Sequence, residues 1–484
     1  MESEVNQLLQ GDIPYIYTLT GSRNLFSRGE RVAENVFHRT PLQHALDNLE
    51  AMSQEDEAFD MALLKRALLQ YPAKLEKEED SLPQRTDAPI TKEQAIQEAR
   101  EFMRILNEIC IFSPKGTPYF GYINEADYSF RFCDCGLVNG LTGIAVFATG
   151  CAMIFGQEKE KAFADKIVDT ALDGLKRQNA YLSEKEGDWD YAPNLGEAEG
   201  IGGILTGLAL LKRYTGRRDI SDFQESALQT LSLFDLSRYG APDRMNGMAG
   251  LLSALCRFPE YQEKKELIQR AADSLLSMKT LPHQDFSLWK PLSHKNRAIS
   301  GGGHGLAGIA EALYAAASVL QKAAYARAAE DAIAVEIEAY SKEYGTWKDF
   351  RLYPPTGYMH GYCSGAPGIG IMTRRIQDRG FESGKLSQCA MLARAAVDML
   401  PLNERDHLCC GNAAIAEYYL AMGERDEAGR VLSGMAQRKK QTGSYRYMSG
   451  GYQNSVTGSL FYGVSGVGYE MLRFASPENI LPVI

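Results

Sequence analysis

Gly305-Leu306-Ala307-Gly308-Ile309-Ala310-Glu311-Ala312-Leu313 is a pair of glycines three residues apart that runs into a nearly unbroken apolar stretch. The same phrase recurs at Gly140 and Gly143, Gly200 and Gly203, Gly247 and Gly250, Gly365 and Gly368, Gly411 and Ala414, and Gly463 and Gly466. Seven copies, roughly 45 to 60 residues apart, override any domain count taken from length alone. The run after each pair is apolar on nearly every face, as a buried helix should be. Between the copies, the segments 161–177, 265–278, 323–339, 386–400 and 425–439 space their apolar residues by three and four with charges between them, the pattern of half-exposed helices. Together these predict an all-α fold, an α/α toroid of seven inner and seven outer helices. Glycine at the inner starts lets neighbouring backbones approach closely. An open solenoid of helical hairpins would give repeats of the same size. The copies lack obvious polar capping repeats and the last runs almost to residue 484, which favours closure.

The 484 residues are 45% hydrophobic, 10% aromatic and 24% charged, a composition that buries a large core and excludes disorder. A net charge of −10 repels phosphate backbones and anionic lipid, so nucleic acid is not an expected partner. The acidic start Met1-Glu2-Ser3-Glu4-Val5 has no basic and apolar signal pattern, and the expected compartment is the cytoplasm. One uncharged stretch, 135–157, is long enough to cross a bilayer, but Gly136, Asn139, Gly140, Gly143 and Gly150 punctuate it, and stable membrane insertion is not expected. Nine cysteines in no small-domain spacing argue for reduced thiols. Residues 1–85 lie outside the repeat as a short mixed segment. They hold a turn-like Gly11-Asp12-Ile13-Pro14, a helical stretch around Leu42 to Leu69, and a charged, proline-bearing connector from Pro72 through Glu76, Asp80 and Pro83 to Pro89. A boundary near residue 86 separates them from a toroid over 86–484.

Aligned on the first glycine, the copies concentrate their reactive side chains just ahead of it. His304 precedes Gly305, Cys363 lies two residues before Gly365, and Cys409-Cys410 precede Gly411; Asp243 is four residues before Gly247 and Glu199 adjoins Gly200. If all inner helices run the same way, these groups meet at one mouth of the ring, among helix N-termini that favour anions and lower thiol pKa values. Three thiolates near an imidazole favour zinc, and three protein ligands with one open position make a catalytic site. Taken singly, each cysteine reads more often as a small buried hydrophobe than as a ligand, His304 by default as a hydrogen-bonded core residue, and Asp243 equally as a turn cap or a functional group. His360 and His407 are spare candidates. Cys110, Cys133, Cys135, Cys151, Cys256 and Cys389 read as core or surface residues.

The strings Ser300-Gly301-Gly302-Gly303-His304-Gly305, Cys363 ahead of Gly365-Ala366-Pro367-Gly368, and Leu408-Cys409-Cys410-Gly411-Asn412 resemble the zinc-dependent lanthipeptide cyclases. The Cys-Cys-Gly form resembles the cyclase domain of class II (LanM-type) lanthipeptide synthetases, since stand-alone class I cyclases usually carry Cys-His-Gly. Asp243 through Gly250 and Leu460 through Ile484 resemble further family signatures, so the resemblance covers about 86–484. Gly11 to Tyr15 and Ser22 to Phe26 resemble the tail of the kinase-like dehydratase domain that precedes such cyclases. The rest of that domain is not in the sequence, so the chain is expected to be a fragment, a truncated product or a separated cyclase, without dehydratase activity.

The resemblance implies addition of a substrate Cys thiol to dehydroalanine or dehydrobutyrine, giving lanthionine or methyllanthionine rings in a ribosomally made precursor peptide. It implies Cys363, Cys409 and Cys410 as ligands to Zn²⁺, His304 as general acid and Asp243 as its partner. The precursor peptide and a separate dehydratase are the expected partners. Two other readings stay open: a non-catalytic peptide-binding toroid with structural or no zinc, and a toroid glycosidase using Asp243 and Glu199.

Overall fold

The computed structural model describes residues 2–11, 13–69, 84–123, 129–185, 191, 193–239, 241–280, 288–289, 300–348, 358, 361–447 and 456–484. Asp12, His360 and the connector from Pro72 to Pro83 lie outside the described residues. The chain forms two compact units, one of residues 1–64 with 113–116 and one of 65–112 with 117–484.

The first unit holds α1 (Glu2–Leu9), an antiparallel ribbon of β1 (Leu25–Ser27) and β2 (Glu30–Ala33), α2 (Pro41–Ala51) and the start of α3 (Gln54–Leu69). The helical stretch expected over 42–69 is thus two helices. They part at Met52-Ser53, where the Ser53 hydroxyl accepts the Asp56 N–H at 3.1 Å and starts a new helix.

The second unit opens with α4 (Lys92–Ile109), begun by a reciprocal cap between Thr91 and Gln94. Two small ribbons follow, β3 (Ile111–Phe112) with β4 (Pro118–Tyr119) and β5 (Gly121–Ile123) with β6 (Phe130–Phe132). Then the helices alternate: α5 (Leu141–Phe155), α6 (Glu158–Glu184), α7 (Ile201–Thr215), α8 (Arg218–Ser232), α9 (Met248–Arg257), the short α10 (Pro259–Gln262) and α11 (Lys265–Ser277). The series continues as α12 (Leu306–Leu320), α13 (Ala323–Glu338), the ribbon β7 (Tyr340–Ser341) with β8 (Thr346–Trp347), α14 (Ala366–Asp378) and α15 (Gly384–Met399). It ends with α16 (Asn412–Ala421), α17 (Arg425–Thr442) and α18 (Val464–Ala475).

Helices α5, α7, α9, α12, α14, α16 and α18 are the seven glycine-pair helices, and each packs on the next. α18 packs back on α5, so the ring closes and the solenoid is excluded. The segments read as outer helices lie in α6, α11, α13, α15 and α17, and α8 is a sixth. The seventh is α4, which packs on α18 through Ala95, Ala99, Phe102, Met103 and Leu106 on one stripe. The outer partner of the last copy therefore comes from ahead of the first.

The loops that lead into the inner helices are joined in a second circle. The N–H of Val138 donates to the carbonyl of Ala198, Ala198 to Met245, Met245 to Gly303, Gly303 to Cys363, Cys363 to Cys409, Cys409 to Phe461, and Phe461 back to Val138, at 2.9 to 3.4 Å. This circle explains the second glycine of each pair. A Cβ on Gly308 would lie 2.0 Å from the Gly302 carbonyl oxygen, and one on Gly368 would lie 1.9 Å from that of Tyr362, because each loop folds back over its own helix. The side chain of the preceding copy presses on the same face, as Arg244 does on Gly308. The uncharged stretch 135–157 contains the buried 15-residue α5, and no described helix is long and apolar enough to cross a membrane.

Candidate functional site

The circle of loops fixes which residues are equivalent. Two residues ahead of the first glycine stand Val138, Ala198, Met245, Gly303, Cys363, Cys409 and Phe461, and next to them Asn139, Glu199, Asn246, His304, Ser364, Cys410 and Tyr462. Cys363 and Cys409 thus hold the same place in adjacent, hydrogen-bonded loops, and Cys410 holds the place that His304 holds two loops away.

The three cysteines come together. The Cys363 and Cys409 sulfurs are 2.8 Å apart, Cys409 and Cys410 are 3.4 Å apart, and all three lie within 4.8 Å of one another. A disulfide would be about 2.05 Å, and all nine cysteines are free. Sulfurs at about 2.3 Å from a tetrahedral Zn²⁺ would sit roughly 3.8 Å apart, so this donor set fits such an ion with little movement. Among the described residues it is the group of Cys, His, Asp or Glu that could hold a metal. Hydrogen bonds from Cys363 and Cys409 hold Cys410 well below the ordinary thiol range, whereas the hydrogen bonds to Cys409 and then Cys410 hold Cys363 well above it.

Side chains behind the Cys409-Cys410 turn keep it in place. His407, buried and lowered to about 4 by that burial, accepts the Cys410 N–H on Nδ1 at 3.2 Å. It is a brace rather than a member of the sulfur cluster. Asp406 is fully buried and accepts from Arg438, from the Asn412 amide at 3.0 Å and from the Arg446 N–H at 3.0 Å.

Two loops back, Asp243 and His304 meet, with Oδ2 of the buried aspartate 3.3 Å from Nδ1. Asp243 also caps its own turn, Oδ1 accepting the Asn246 N–H at 2.6 Å. Asp243 thus caps its turn and contacts His304 with its two oxygens. Glu199 is not paired with Asp243: its Oε1 accepts the Asn139 N–H at 2.9 Å, and burial followed by the charge of Asp134 pushes it up to about 8. Cys151, Cys256 and Cys389 are core residues.

The family described as "Lanthionine synthetase C-like protein" matches residues 131–483. The chain belongs to that family. Among solved structures it is similar to "Nisin cyclase", at 15% identity and a TM-score of 0.56 over 79% of this chain and 95% of that one, a likeness of fold. The unsaturated glucuronyl hydrolase of Bacillus sp. GL1 aligns at 16% identity and a TM-score of 0.40, over 73% of this chain and 97% of that one. A comparison with curated proteins finds no match.

This lanthionine synthetase C-like chain also holds groups that the sequence reading missed. Three residues ahead of the first glycine, Glu197, Arg244 and Tyr362 form a buried ionic cluster. Arg244 Nε and Nη2 donate to the two Glu197 oxygens at 2.6 and 2.9 Å, Nη1 donates to Glu311 at 2.7 Å and to Ser253, and the Tyr362 hydroxyl donates to Glu197 at 3.1 Å. Burial alone would raise Glu311, but Arg244 overrides it and holds the carboxyl at about 2. Asp243 precedes Arg244 and Cys363 follows Tyr362, so the cluster ends beside both halves of the candidate site. Tyr462, next to Cys409, was missed too; the column that contains His304 and Cys410 contains it.

Proposed function

We propose that this chain is a zinc-dependent peptide cyclase that joins a substrate cysteine to a dehydroalanine or dehydrobutyrine in a precursor peptide. The observation that carries the reading is the convergence of Cys363, Cys409 and Cys410 within 4.8 Å, in the circle of loops that also contains His304 against Asp243. Family membership and the likeness to nisin cyclase support it, and Cys409-Cys410-Gly411 supports the class II type.

In the reaction a C–S bond forms at the β-carbon, the C=C bond is lost, the thiol proton leaves and the α-carbon gains one. A free thiol with a pKa near 8.5 is mostly protonated at neutral pH. Zn²⁺ held by three thiolates, when bound, supplies the acidity that makes a fourth thiol ionise. Cys363 and Cys409 are fixed by their own backbone hydrogen bonds, and Cys410 by His407. His304 supplies the α-carbon proton as general acid, and Asp243 orients its ring through Nδ1. The peptide reaches the mouth already dehydrated. Residues 86–484 carry the cyclase, and 1–85 resemble the C-terminal end of a dehydratase domain.

Zinc content decides the ligands: Cys363→Ala, Cys409→Ala and Cys410→Ala each lose the ion, whereas His304→Ala keeps it and slows ring closure of a dehydrated, cysteine-containing peptide by roughly 10²- to 10⁴-fold, read by thiol alkylation and mass. Full zinc retention in all three cysteine variants eliminates the assignment.

A further inference from the structure

Tyr462 occupies the column of His304 and Cys410, one residue ahead of the first glycine of the seventh copy. The Cys409 thiol donates to its hydroxyl at 3.5 Å, and its ring packs edge-on against His407 with centroids 5.4 Å apart; a Cys409 thiolate has no proton to give, and toward it the hydroxyl becomes the donor. The backbone holds it there: the Tyr462 N–H donates to Ser459 Oγ at 3.1 Å, and that hydroxyl donates to the Val138 carbonyl at 2.8 Å. Among the described residues, no hydroxyl reaches the sulfur of Cys363 or Cys410 in the same way. The asymmetry is therefore a property of one ligand.

A hydrogen bond to a thiolate draws electron density toward the donor. A sulfur so engaged gives less charge to a metal ion it holds, and the ion then acts as a stronger acid on whatever occupies its remaining position. We propose that Tyr462 is a positioning residue that donates to Cys409 and sharpens the acidity of the metal centre toward an incoming thiol. The inference rests on the cyclase reading and adds to it a residue that sets the pH at which a thiol is captured.

The test uses the full chain loaded with Co²⁺, whose sulfur-to-metal charge-transfer band reports donation by the thiolates, and 2-mercaptoethanol as the incoming thiol. Tyr462→Phe keeps the ring against His407 and removes only the hydroxyl. It is expected to bind one equivalent of cobalt, to move the charge-transfer band to lower energy, and to raise the midpoint pH of 2-mercaptoethanol binding by about half a unit to one unit, the size expected for one ordinary hydrogen bond. Metal uptake with an unmoved band and an unmoved midpoint overturns this inference alone. Loss of the metal from Tyr462→Phe overturns it as well, because Tyr462 would then hold the site together rather than tune it. A wild-type chain that takes up neither zinc nor cobalt overturns the cyclase reading, and this inference with it.

Discussion

Two arcs of the same ring solve one packing problem with opposite chemistry. In copies six, seven and one, the residue three places ahead of the first glycine is Leu408, Leu460 or Leu137, each fully buried. In copies two, three and five, the same place holds Glu197, Arg244 and Tyr362, no more than 2% exposed. The backbone circle through the adjacent residues is continuous across both arcs. Leucine fills space without fixing direction, whereas a bidentate guanidinium with two carboxylates and a phenol fixes every member. The directional arc is the one whose neighbours in sequence are Asp243 and Cys363. The repeat supplies a frame, and the ionic arc aligns what is mounted on it.

The largest test of this contrast breaks the ionic arc. Arg244→Met leaves Glu197 buried without its ion-pair partner and Glu311 with only the 3.9 Å contact to Arg379, and should cost about 3 to 5 kcal/mol in denaturant unfolding. Adding Glu197→Leu and Glu311→Leu should recover part of that loss, because an apolar replacement of a buried ion pair is often neutral, while buried Arg375 and Arg257 lose the carboxylates that offset their charge. A triple variant no more stable than Arg244→Met would mean that shape rather than charge balance holds the arc. A second, smaller effect lies in the pH dependence. Glu336 reaches from α13 to the start of α12, accepts the Ala307 N–H at 3.1 Å, and is pushed up to about 8 by burial. Between about 4.5 and about 8 the folded chain holds this proton and the unfolded chain does not, so stability falls as pH rises through that window. The fall is at most a few kcal/mol. Glu336→Gln should flatten the slope between pH 5 and pH 8; an unchanged slope would remove Glu336 as its cause.

Much of this was legible in the sequence for one reason: seven similar phrases can be laid over one another. The inner helices announced themselves by being apolar on all faces, and His304, Cys363, Cys409 and Cys410 by falling in neighbouring columns. The closing helix was not legible as such. The capping pair of Thr91 and Gln94 and the apolar stripe of α4 are plain, but its partner α18 lies more than 350 residues away, and nothing local names it. The circle of loop hydrogen bonds is made by backbone and leaves a trace only in the second glycine, with Ala414 the exception. Glu197, Arg244 and Glu311 are charged residues in runs that read as turn or core, and pairing them needs three separate copies side by side in space.

The smallest test is the sharpest, because it matches stability across the arcs and asks whether the site notices. Leu137→Val removes one methylene from the leucine arc and should cost about 1 kcal/mol. Tyr362→Phe removes the 3.1 Å hydrogen bond to Glu197 from the ionic arc and should cost about the same. Leu137 is two loops from Cys409 along the circle and adjoins none of the three cysteines in sequence, whereas Tyr362 is covalently next to Cys363 and its carbonyl accepts the Gly302 N–H at 3.1 Å in the His304 loop. Zinc affinity, measured by competition with a chelating dye, should therefore fall roughly tenfold in Tyr362→Phe and stay at the wild-type value in Leu137→Val. Equal affinities at equal stability would make the two arcs interchangeable supports and leave the ionic cluster as packing alone.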